Sequence, residues 1–235
     1  MTIKNISLVI TTYNRFDTFL KNTLLYYLKN PYFNEIVIYD DSSDDYIKIS
    51  DSFKNEINSG KIKLYTQVKN MGALKNKICA CLKASNEWIC LMDSDNLCNV
   101  DYCNALSAFW NAGNYDTKYI YQPERALPAQ DFSKYIGMSI DKSNWNSIND
   151  ECLLNNGNYV FHKSILQYVV PILNETIETH AIDVKYMNYY WIKNGVSLVV
   201  VPNMIYHHTI HQGSFYVNTH TDSDIFNKNF DWNIA

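Results

Sequence analysis

The stretch Trp88-Ile89-Cys90-Leu91-Met92-Asp93-Ser94-Asp95-Asn96 decides the fold. An uninterrupted apolar run that ends in a polar loop is typical of a strand buried in a parallel sheet, with the loop at its carboxyl end. Two carboxylates one residue apart at such a strand end can share a hard divalent cation, which can neutralise a diphosphate. An Asp-x-Asp alone is weak evidence, because on a surface loop the pair is usually a solvated turn or a helix cap.

The same order of strand, polar loop and helix recurs along the chain. The predicted strands are 3–10, 35–39, 61–66, 88–92 and 196–201, and the predicted helices are 17–29, 44–57, 73–84, 100–112, 163–173 and 181–194. Such alternation predicts an α/β fold on a doubly wound, mostly parallel sheet. Right-handed crossovers then bring the polar segments 11–14, 40–45 and 93–96 to one sheet edge, where open α/β sheets bind ligands.

Length and composition favour one compact domain and exclude nucleic acid as a main partner. The 235 residues are 47% hydrophobic, which is enough for a substantial core. The net charge is -4 and the Lys and Arg residues are scattered, so the chain lacks the basic stripe that nucleic-acid binding requires. The six cysteines lie mostly in apolar segments and form no Cys-x-x-Cys pair, so we expect reduced core thiols.

The N-terminal segment indicates the compartment. It mixes Lys4, Asn14, Arg15 and Asp17 around a short apolar stretch, which resembles neither a signal peptide nor a membrane span. We therefore expect a cytoplasmic protein without a transmembrane segment, and a peripheral contact with a membrane stays open.

Four motifs in the first half of the chain, in the right order and spacing, resemble the family 2 glycosyltransferases. They are Leu8-Val9-Ile10-Thr11-Thr12-Tyr13-Asn14-Arg15, Ile36-Val37-Ile38-Tyr39-Asp40-Asp41-Ser42-Ser43-Asp44, Asn70-Met71-Gly72 with Lys75-Asn76, and Asp93-Ser94-Asp95. The resemblance implies a single GT-A domain at 1–218, with a nucleotide-sugar-binding half at 1–112 and an acceptor-binding half at 113–218. Residues 219–235 are expected to form a packed tail or a docking segment.

In this family the first two motifs hold the nucleotide base and ribose, and the Asp-x-Asp holds a metal. The resemblance thus implies a set of residues that bind the donor nucleotide: Thr11, Tyr13, Arg15, Asp40, Asn70, Lys75, Asn76, Asp93 and Ser94. Thr11 and Tyr13 can pack on a base, and Asp40 can accept from an imide N–H or a ribose hydroxyl, which favours uridine. The alternatives are a helix cap for Asp40 and Asp41 and a solvated helix face for Lys75 and Asn76.

The second half resembles the family less closely but contains a candidate sugar pocket and a candidate base. The segment 155–161 resembles the floor of that pocket, with Gly157 and Asn158 at the acceptor or the donor sugar, whereas a plain turn is the alternative. Family members place an acidic pair at the start of a late helix, which implies Asp183 as the general base. The usual Glu of the pair is absent, so Glu178 is a second candidate, and Asp183 alternatively complements the helix dipole.

The segment after the last predicted strand is rich in histidine. It resembles the family's Tyr-x-His or His-x-x-His, which implies a metal site of Asp95 with His208 or His211, because a neutral imidazole can complete the metal shell. The implied cofactor is Mn²⁺ or Mg²⁺.

The irregular region 115–156 is interpreted as an insert that reads the acceptor. Trp145, Tyr121 and Tyr135 are candidates for stacking on sugar rings there, although aromatic residues more often belong to the core.

The resemblance implies a metal-dependent, inverting transferase that moves a hexose or N-acetylhexosamine from a nucleotide-diphosphate donor, with UDP favoured. The acceptor is a hydroxyl of a glycan or another molecule. One rival is a non-catalytic glycan-binding or scaffold protein, motivated by the missing Glu and the tyrosine-rich middle. A nucleotidyltransferase ranks lower, because the first loop, 11–15, lacks the glycines that cradle a triphosphate.

Overall fold

The computed structural model describes residues 5–177, 180–212 and 215–234. The strands are β1 Ile6–Thr12, β2 Phe33–Asp40, β3 Ile62–Thr66, β4 Trp88–Asp93, β5 Leu97–Cys98, β6 Tyr119–Leu127, β7 Gln130–Asp131, β8 Ser139–Ile140, β9 Val160–His162 and β10 Ser197–His207. The α-helices are α1 Lys21–Tyr27, α2 Asp45–Ser52, α3 Lys54–Asn58, α4 Ala73–Leu82, α5 Val100–Asn111, α6 Glu151–Leu154, α7 Asp183–Lys193 and α8 Phe215–Asn229. None of the helices in this described part of the chain is both long and apolar enough to cross a membrane.

One sheet organises these elements, in the order β3-β2-β1-β4-β9-β6-β10-β5, with β7 beside β6 and β8 beside β10. The strands β3, β2, β1 and β4 run parallel, β6 and β10 are parallel to each other, and β9 lies antiparallel between the two groups. The predicted α/β fold with a mostly parallel sheet is therefore confirmed.

Apolar side chains fill both faces of the sheet, which is why its central strands read as continuous apolar runs. In β1, Val9 packs with α4 and α7 on one face, while Leu8 and Ile10 pack with α1 and α5 on the other. Trp145, Tyr121 and Tyr135 are all buried in these cores. They therefore pack in the interior, which was the alternative to stacking on sugar rings.

The carboxyl ends of β1, β2 and β4 meet at one edge, as predicted. Thr12 pairs in register with Asp40 of β2, and Thr11 pairs with Asp93 of β4. The polar residues that follow these strands therefore start from neighbouring positions.

Several predicted elements differ from the structure. The segment 163–173 forms two short 3₁₀ helices instead of an α-helix, and the predicted helix 44–57 divides at Phe53 into α2 and α3. The region 115–156, predicted to be irregular, contains the nine-residue strand β6. Its Pro123 and the charged pair Glu124-Arg125 argue against a strand in sequence, yet β6 pairs with β10 over most of its length.

The tail is helical and packed. The boundary predicted between residues 218 and 219 falls within α8, and Phe226, Phe230 and Trp232 pack against Tyr186 and Tyr189 of α7. The six cysteines are free thiols, of which Cys152 alone is exposed rather than part of the core.

Glu35 anchors the opposite edge of the sheet. Its buried carboxylate pairs with Lys63 Nζ at 2.5 Å and accepts hydrogen bonds from the Ser85 backbone N–H at 2.8 Å and the Ser7 hydroxyl. Burial raises the pKa of Glu35, but the bonds from Lys63, Ser7 and Ser85 outweigh it, so the net pKa lies below its ordinary value.

We expect Glu35→Gln to destabilise the protein by about 1–3 kcal/mol at pH 7, the usual range for losing a buried, charge-assisted hydrogen-bond partner. A carboxylate with a lowered folded-state pKa stabilises the fold above its unfolded pKa of about 4.3, and this contribution disappears as the pH falls through the folded-state pKa. Urea unfolding at pH 7 and near pH 3.5 should therefore show a gap between wild type and variant that closes on acidification. A gap that stays constant with pH would contradict this account.

Gly157 permits α7 to approach the floor of the site. A Cβ atom at this position would lie 2.7 Å from Val184 Cγ2, and Val184 is itself buried next to Asp183. The glycine is needed for this packing contact.

We expect Gly157→Ala to cost about 1–3 kcal/mol through overpacking, measured as a lower thermal melting temperature. Adding Val184→Ala removes the clash, so the double variant should be more stable than the sum of the two single effects predicts. Additive effects would show that the two residues do not constrain each other.

Candidate active site

A cleft of about 810 Å³ opens at the carboxyl edge of the sheet. All but one of the residues predicted to form the site line it: Thr11, Tyr13, Arg15, Asn70, Lys75, Asn76, Asp93, Ser94, Asp95, Gly157, Asn158, Asp183, His208 and His211. The structure thus brings together side chains that are up to 200 residues apart in sequence. Glu178, the second candidate base, lies outside the described residues.

Asp40 is the exception, because it is fully buried and does not line the cleft. Its carboxylate accepts from the Ser43 backbone N–H at 2.7 Å, from the Ser43 hydroxyl at 2.6 Å and from the Thr66 hydroxyl at 3.1 Å. Asp40 therefore holds the turn that leaves β2, and it does not cap α2, whose N-cap residue is Asp44.

Asp41 lines the cleft at the place that was predicted for Asp40. Its two oxygens accept from the backbone N–H groups of Met71, at 2.8 Å, and Gly72, at 3.0 Å, and so fix the start of α4. Burial raises the pKa of Asp41, helped by the charge of Asp40, and the two backbone bonds only partly offset that rise.

The loop after β1 is held by Asp45, a residue that the sequence analysis did not single out. Its carboxylate accepts from the Thr12 hydroxyl at 2.6 Å and from the backbone N–H groups of Arg15 at 2.7 Å and Phe16 at 3.1 Å. The loop therefore has a fixed shape, and it presents Tyr13, which is 48% exposed, at the cleft.

The first turn of α4 contributes Lys75 and Asn76. The Asn76 amide donates to the Tyr39 carbonyl at 3.2 Å, and the Lys75 ammonium donates to the Glu175 carbonyl at 2.5 Å. Neither side chain projects freely into solvent, because Asn76 connects the helix to β2 and Lys75 connects it to the segment at Glu175.

Asn158 holds the strand end that carries the Asp-x-Asp. Its amide oxygen accepts from the Asp93 backbone N–H at 2.9 Å and from the Asn96 amide at 3.1 Å, while its amide nitrogen donates to Asp93 Oδ2 at 3.2 Å. The Tyr102 hydroxyl donates to the Asn158 carbonyl at 2.8 Å. Because buried polar groups need partners, this network fixes both the main chain and the side chain of Asp93.

Asp95 faces the histidines that follow β10. Asp95 Oδ2 lies 3.0 Å from His211 Nε2, and Thr209 binds the 95–96 loop through the Asn96 amide oxygen at 3.0 Å and through the Asp95 carbonyl. His208 also lines the cleft, and its Nδ1 is buried without a hydrogen-bond partner among the described residues. These oxygen and nitrogen atoms are ligands that a divalent ion such as Mn²⁺ accepts.

Within the described residues, no group of three or more His, Cys, Asp or Glu side chains is arranged to hold a metal by itself. The Asp95–His211 pair supplies two ligands, and the unpartnered nitrogen of His208 is a third candidate. Asp95 and His211 alone would hold a cation only if a bound phosphate and water supplied most of its ligands.

A buried lysine connects Asp183 to the Asp-x-Asp. Lys77 Nζ lies 2.7 Å from Asp183 Oδ2 and 3.3 Å from Asp93 Oδ1, and the Lys77 side chain is only 8% exposed. Burial lowers the pKa of Lys77, but the charges of Asp183 and Asp93 outweigh it, so the net pKa lies above its ordinary value. Lys77 stays charged and links α4, β4 and α7.

Sequence reasoning missed the supporting residues of this site. Lys77 occupies an unremarkable position on an amphipathic helix, and its spacing of two from Lys75 gives no sign that it is buried. Asn156 and Tyr206, which bond each other and Asn158, lie beside predicted residues, so their proximity in sequence was the available signal.

The comparisons with known proteins agree with this geometry. No curated protein matches the chain. Among solved structures, TarS of S. aureus in complex with UDP-GlcNAc aligns with a TM-score of 0.67 at 17% identity, over 97% of this chain and 68% of that one. Another TarS structure aligns over 97% of this chain but only 41% of its own, so the chain spans less than half of that relative.

Two further structures share the fold. The mannosyltransferase PcManGT from Pyrobaculum calidifontis, in complex with GDP-Man and Mn²⁺, has a TM-score of 0.64 at 15% identity, over 90% of this chain and 58% of that one. GalNAc-T7 with UDP, GalNAc and Mn²⁺ has a TM-score of 0.64 at 15% identity, over 90% and 45%.

The sequence profile of the family described as Glycosyl transferase family 2 matches residues 7–152, which is more than half of the chain and includes the strand ends that carry Thr11, Asp41 and Asp95. The chain therefore belongs to glycosyl transferase family 2, and its fold is the GT-A fold of the structures that it aligns with.

Proposed function

We propose that this glycosyltransferase is metal-dependent and inverting, and that it moves a hexose or N-acetylhexosamine from a UDP-sugar to a hydroxyl of a glycan or another acceptor. One observation carries the proposal: the carboxylate of Asp183 and the Asp95–His211 pair open onto the same cleft. An inverting displacement needs these two functions in one cavity, a base for the acceptor and a cationic site for the leaving diphosphate.

The nucleotide would bind along the β1, β2 and α4 side of the cleft. Tyr13 offers an exposed ring for the base, and Asp41 takes over the polar contact first predicted for Asp40. The complexes of TarS with UDP-GlcNAc and of GalNAc-T7 with UDP support a uridine donor, and the PcManGT complex with GDP-Man keeps a guanosine donor as the alternative.

Asp95, His211 and His208 would hold the metal, Mn²⁺ or Mg²⁺. The Mn²⁺ in the PcManGT and GalNAc-T7 structures supports this assignment. A bound divalent cation supplies positive charge that stabilises the departing diphosphate. Arg15 and Lys75 add further positive charge at the cleft wall.

The transfer proposed is one direct displacement at the anomeric carbon. Asp183 takes the proton of the acceptor hydroxyl while the acceptor oxygen bonds to the anomeric carbon. The bond from that carbon to the diphosphate oxygen breaks with its electron pair going to UDP. The anomeric configuration inverts, and the chain forms no covalent bond to the sugar.

We expect Asp183→Asn to bind UDP as the wild type does and to lose about 10²- to 10⁴-fold in turnover, the usual contribution of a positioned general base. Turnover is measured as UDP released from UDP-GlcNAc, UDP-glucose and UDP-GalNAc with Mn²⁺, and binding by calorimetry. Normal turnover in this variant would show that another group, such as Glu178, is the base.

Asp95→Ala should weaken Mn²⁺-dependent UDP binding by about 10- to 100-fold or more, since even residues that only support metal ligands commonly contribute that much. Calorimetric titration of UDP with and without Mn²⁺ measures the effect. The matched control is Asp101→Ala, an exposed carboxylate on α5 outside the cleft, which should leave the affinity unchanged. Equal affinities for wild type and Asp95→Ala would remove the proposed metal site.

A further inference from the structure

The ammonium of Lys77 lies between two carboxylates that belong to different elements. It reaches Asp183, the first residue of α7, at 2.7 Å and Asp93, the last residue of β4, at 3.3 Å. All three side chains line the cleft, and those of Lys77 and Asp183 are less than one-tenth exposed. Two negative groups and a compact, multiply donating cation therefore form one cluster, in which Lys77 and Asp183 are buried and Asp93 is partly exposed.

The two carboxylates of the Asp-x-Asp face different side chains. Asp93 has both oxygens engaged by protein groups, Oδ1 by Lys77 and Oδ2 by the Asn158 amide. Asp95 points to His211 instead. The two carboxylates of the motif therefore have different partners: Asp95 faces the proposed metal site, and Asp93 faces Lys77.

The elements that carry this cluster are rigid. α4 packs against β1 and β2, and the ends of β4 and α7 are fixed by Asn158 and by the contact of Gly157 with Val184. The Lys77 side chain therefore bridges the end of β4 and the start of α7. It contacts Oδ2 of Asp183, which leaves Oδ1 as the atom for the acceptor proton.

We propose that Lys77 is a positioning residue, which orients the Asp183 carboxylate relative to the donor and uses Asp93 as its second anchor. This inference rests on the proposed function, in which Asp183 is the base. The Lys77 ammonium contacts the two carboxylates, Asp183 and Asp93. Its removal should lower the rate of transfer without weakening donor or metal binding.

The test compares Lys77→Met, Lys77→Arg, Asp183→Asn and the double variant Lys77→Met with Asp183→Asn. Turnover is measured as UDP release from the UDP-sugar that the wild type uses best, and the affinity for UDP with Mn²⁺ is measured by calorimetry. Lys77→Met should lower kcat by up to about 10²-fold, the scale of a small misplacement of a reacting group, while KM and the UDP–Mn²⁺ affinity change less than about twofold. Lys77→Arg keeps the charge and should recover part of the rate.

The double variant shows whether Lys77 acts through Asp183. If it does, Lys77→Met costs nothing further in kcat once Asp183 is an amide, because the group that it positions is already lost. The double variant also removes one of the uncompensated charges; if Lys77→Met does not fold, a loss of kcat in Lys77→Arg together with no difference between Asp183→Asn and the double variant supports the proposal, and an unchanged kcat in Lys77→Arg overturns it. A further loss of kcat equal to that in the wild-type background would overturn the proposal.

Lys63→Met is the matched control for stability. It also takes a lysine away from a mostly buried carboxylate, Glu35, but at the opposite edge of the sheet. It should lower the melting temperature and leave kcat unchanged. An equal loss of kcat in Lys63→Met and Lys77→Met would mean that both act through stability and would overturn the proposal.

Measurements on the wild type distinguish a failure of this inference from a failure of the proposed function. A wild type that neither binds UDP nor releases it from any UDP-sugar removes the proposed function, and the role of Lys77 with it. A wild type that turns over, together with a Lys77→Met variant of equal kcat, removes the role of Lys77 alone. Weaker UDP–Mn²⁺ binding in Lys77→Met would instead place Lys77 in the donor site and overturn the positioning role.

Discussion

The parallel pairing of β1 with both β2 and β4 is the constraint on which the rest of the structure depends. Parallel hydrogen bonding ends neighbouring strands at the same level, so Thr11 lies beside Asp93 and Thr12 beside Asp40. A slip of one residue in β1 would turn Val9 and Ile10 to the wrong faces of the sheet, each of which is filled by apolar side chains. The packing of both cores therefore fixes the position of the loops that form the cleft.

Hydrogen bonds then fix the conformation of the segments that follow these strands. Asp45 holds the loop after β1, Asp41 holds the start of α4, and Asn158 holds the end of β4. Each uses a short side chain to satisfy backbone N–H groups that no strand or helix would pair. The site thus depends on side chains that hold its loops in place, and a preorganised site needs such support.

Much of the frame was predictable from the sequence, because apolar runs and helical periodicity report burial directly. The strands β1 to β4, the edge where they end and the start of α7 at Asp183 follow from those patterns and from the family resemblance. β6 was missed because Pro123 and its charged neighbours contradict the strand pattern, and its pairing with β10 is a tertiary contact that outweighs local preference.

The candidate site was predicted at the level of motifs but not of individual partners. Asp40 and Asp41 are adjacent in sequence, and only the direction in which β2 ends shows that Asp41 faces the cleft while Asp40 holds the turn. The ion pairs of Lys77 join residues that are 16 and 106 positions apart, so no local pattern reports them. Contacts of this kind depend on the packing of α4 against α7, which a single sequence does not display.

Residues 226–232 pack onto α7, and this packing connects them to the wall of the cleft. Lys185 Nζ lies 4.2 Å from the ring centre of Trp232, binds Asn227 at 2.6 Å and pairs at 2.9 Å with Glu151, which lines the cleft. The ammonium is mostly buried, so the loss of Glu151, the one carboxylate among these three partners, would leave its charge without compensation. Residues 226–232 and this wall of the cleft therefore share one buried ammonium as an anchor.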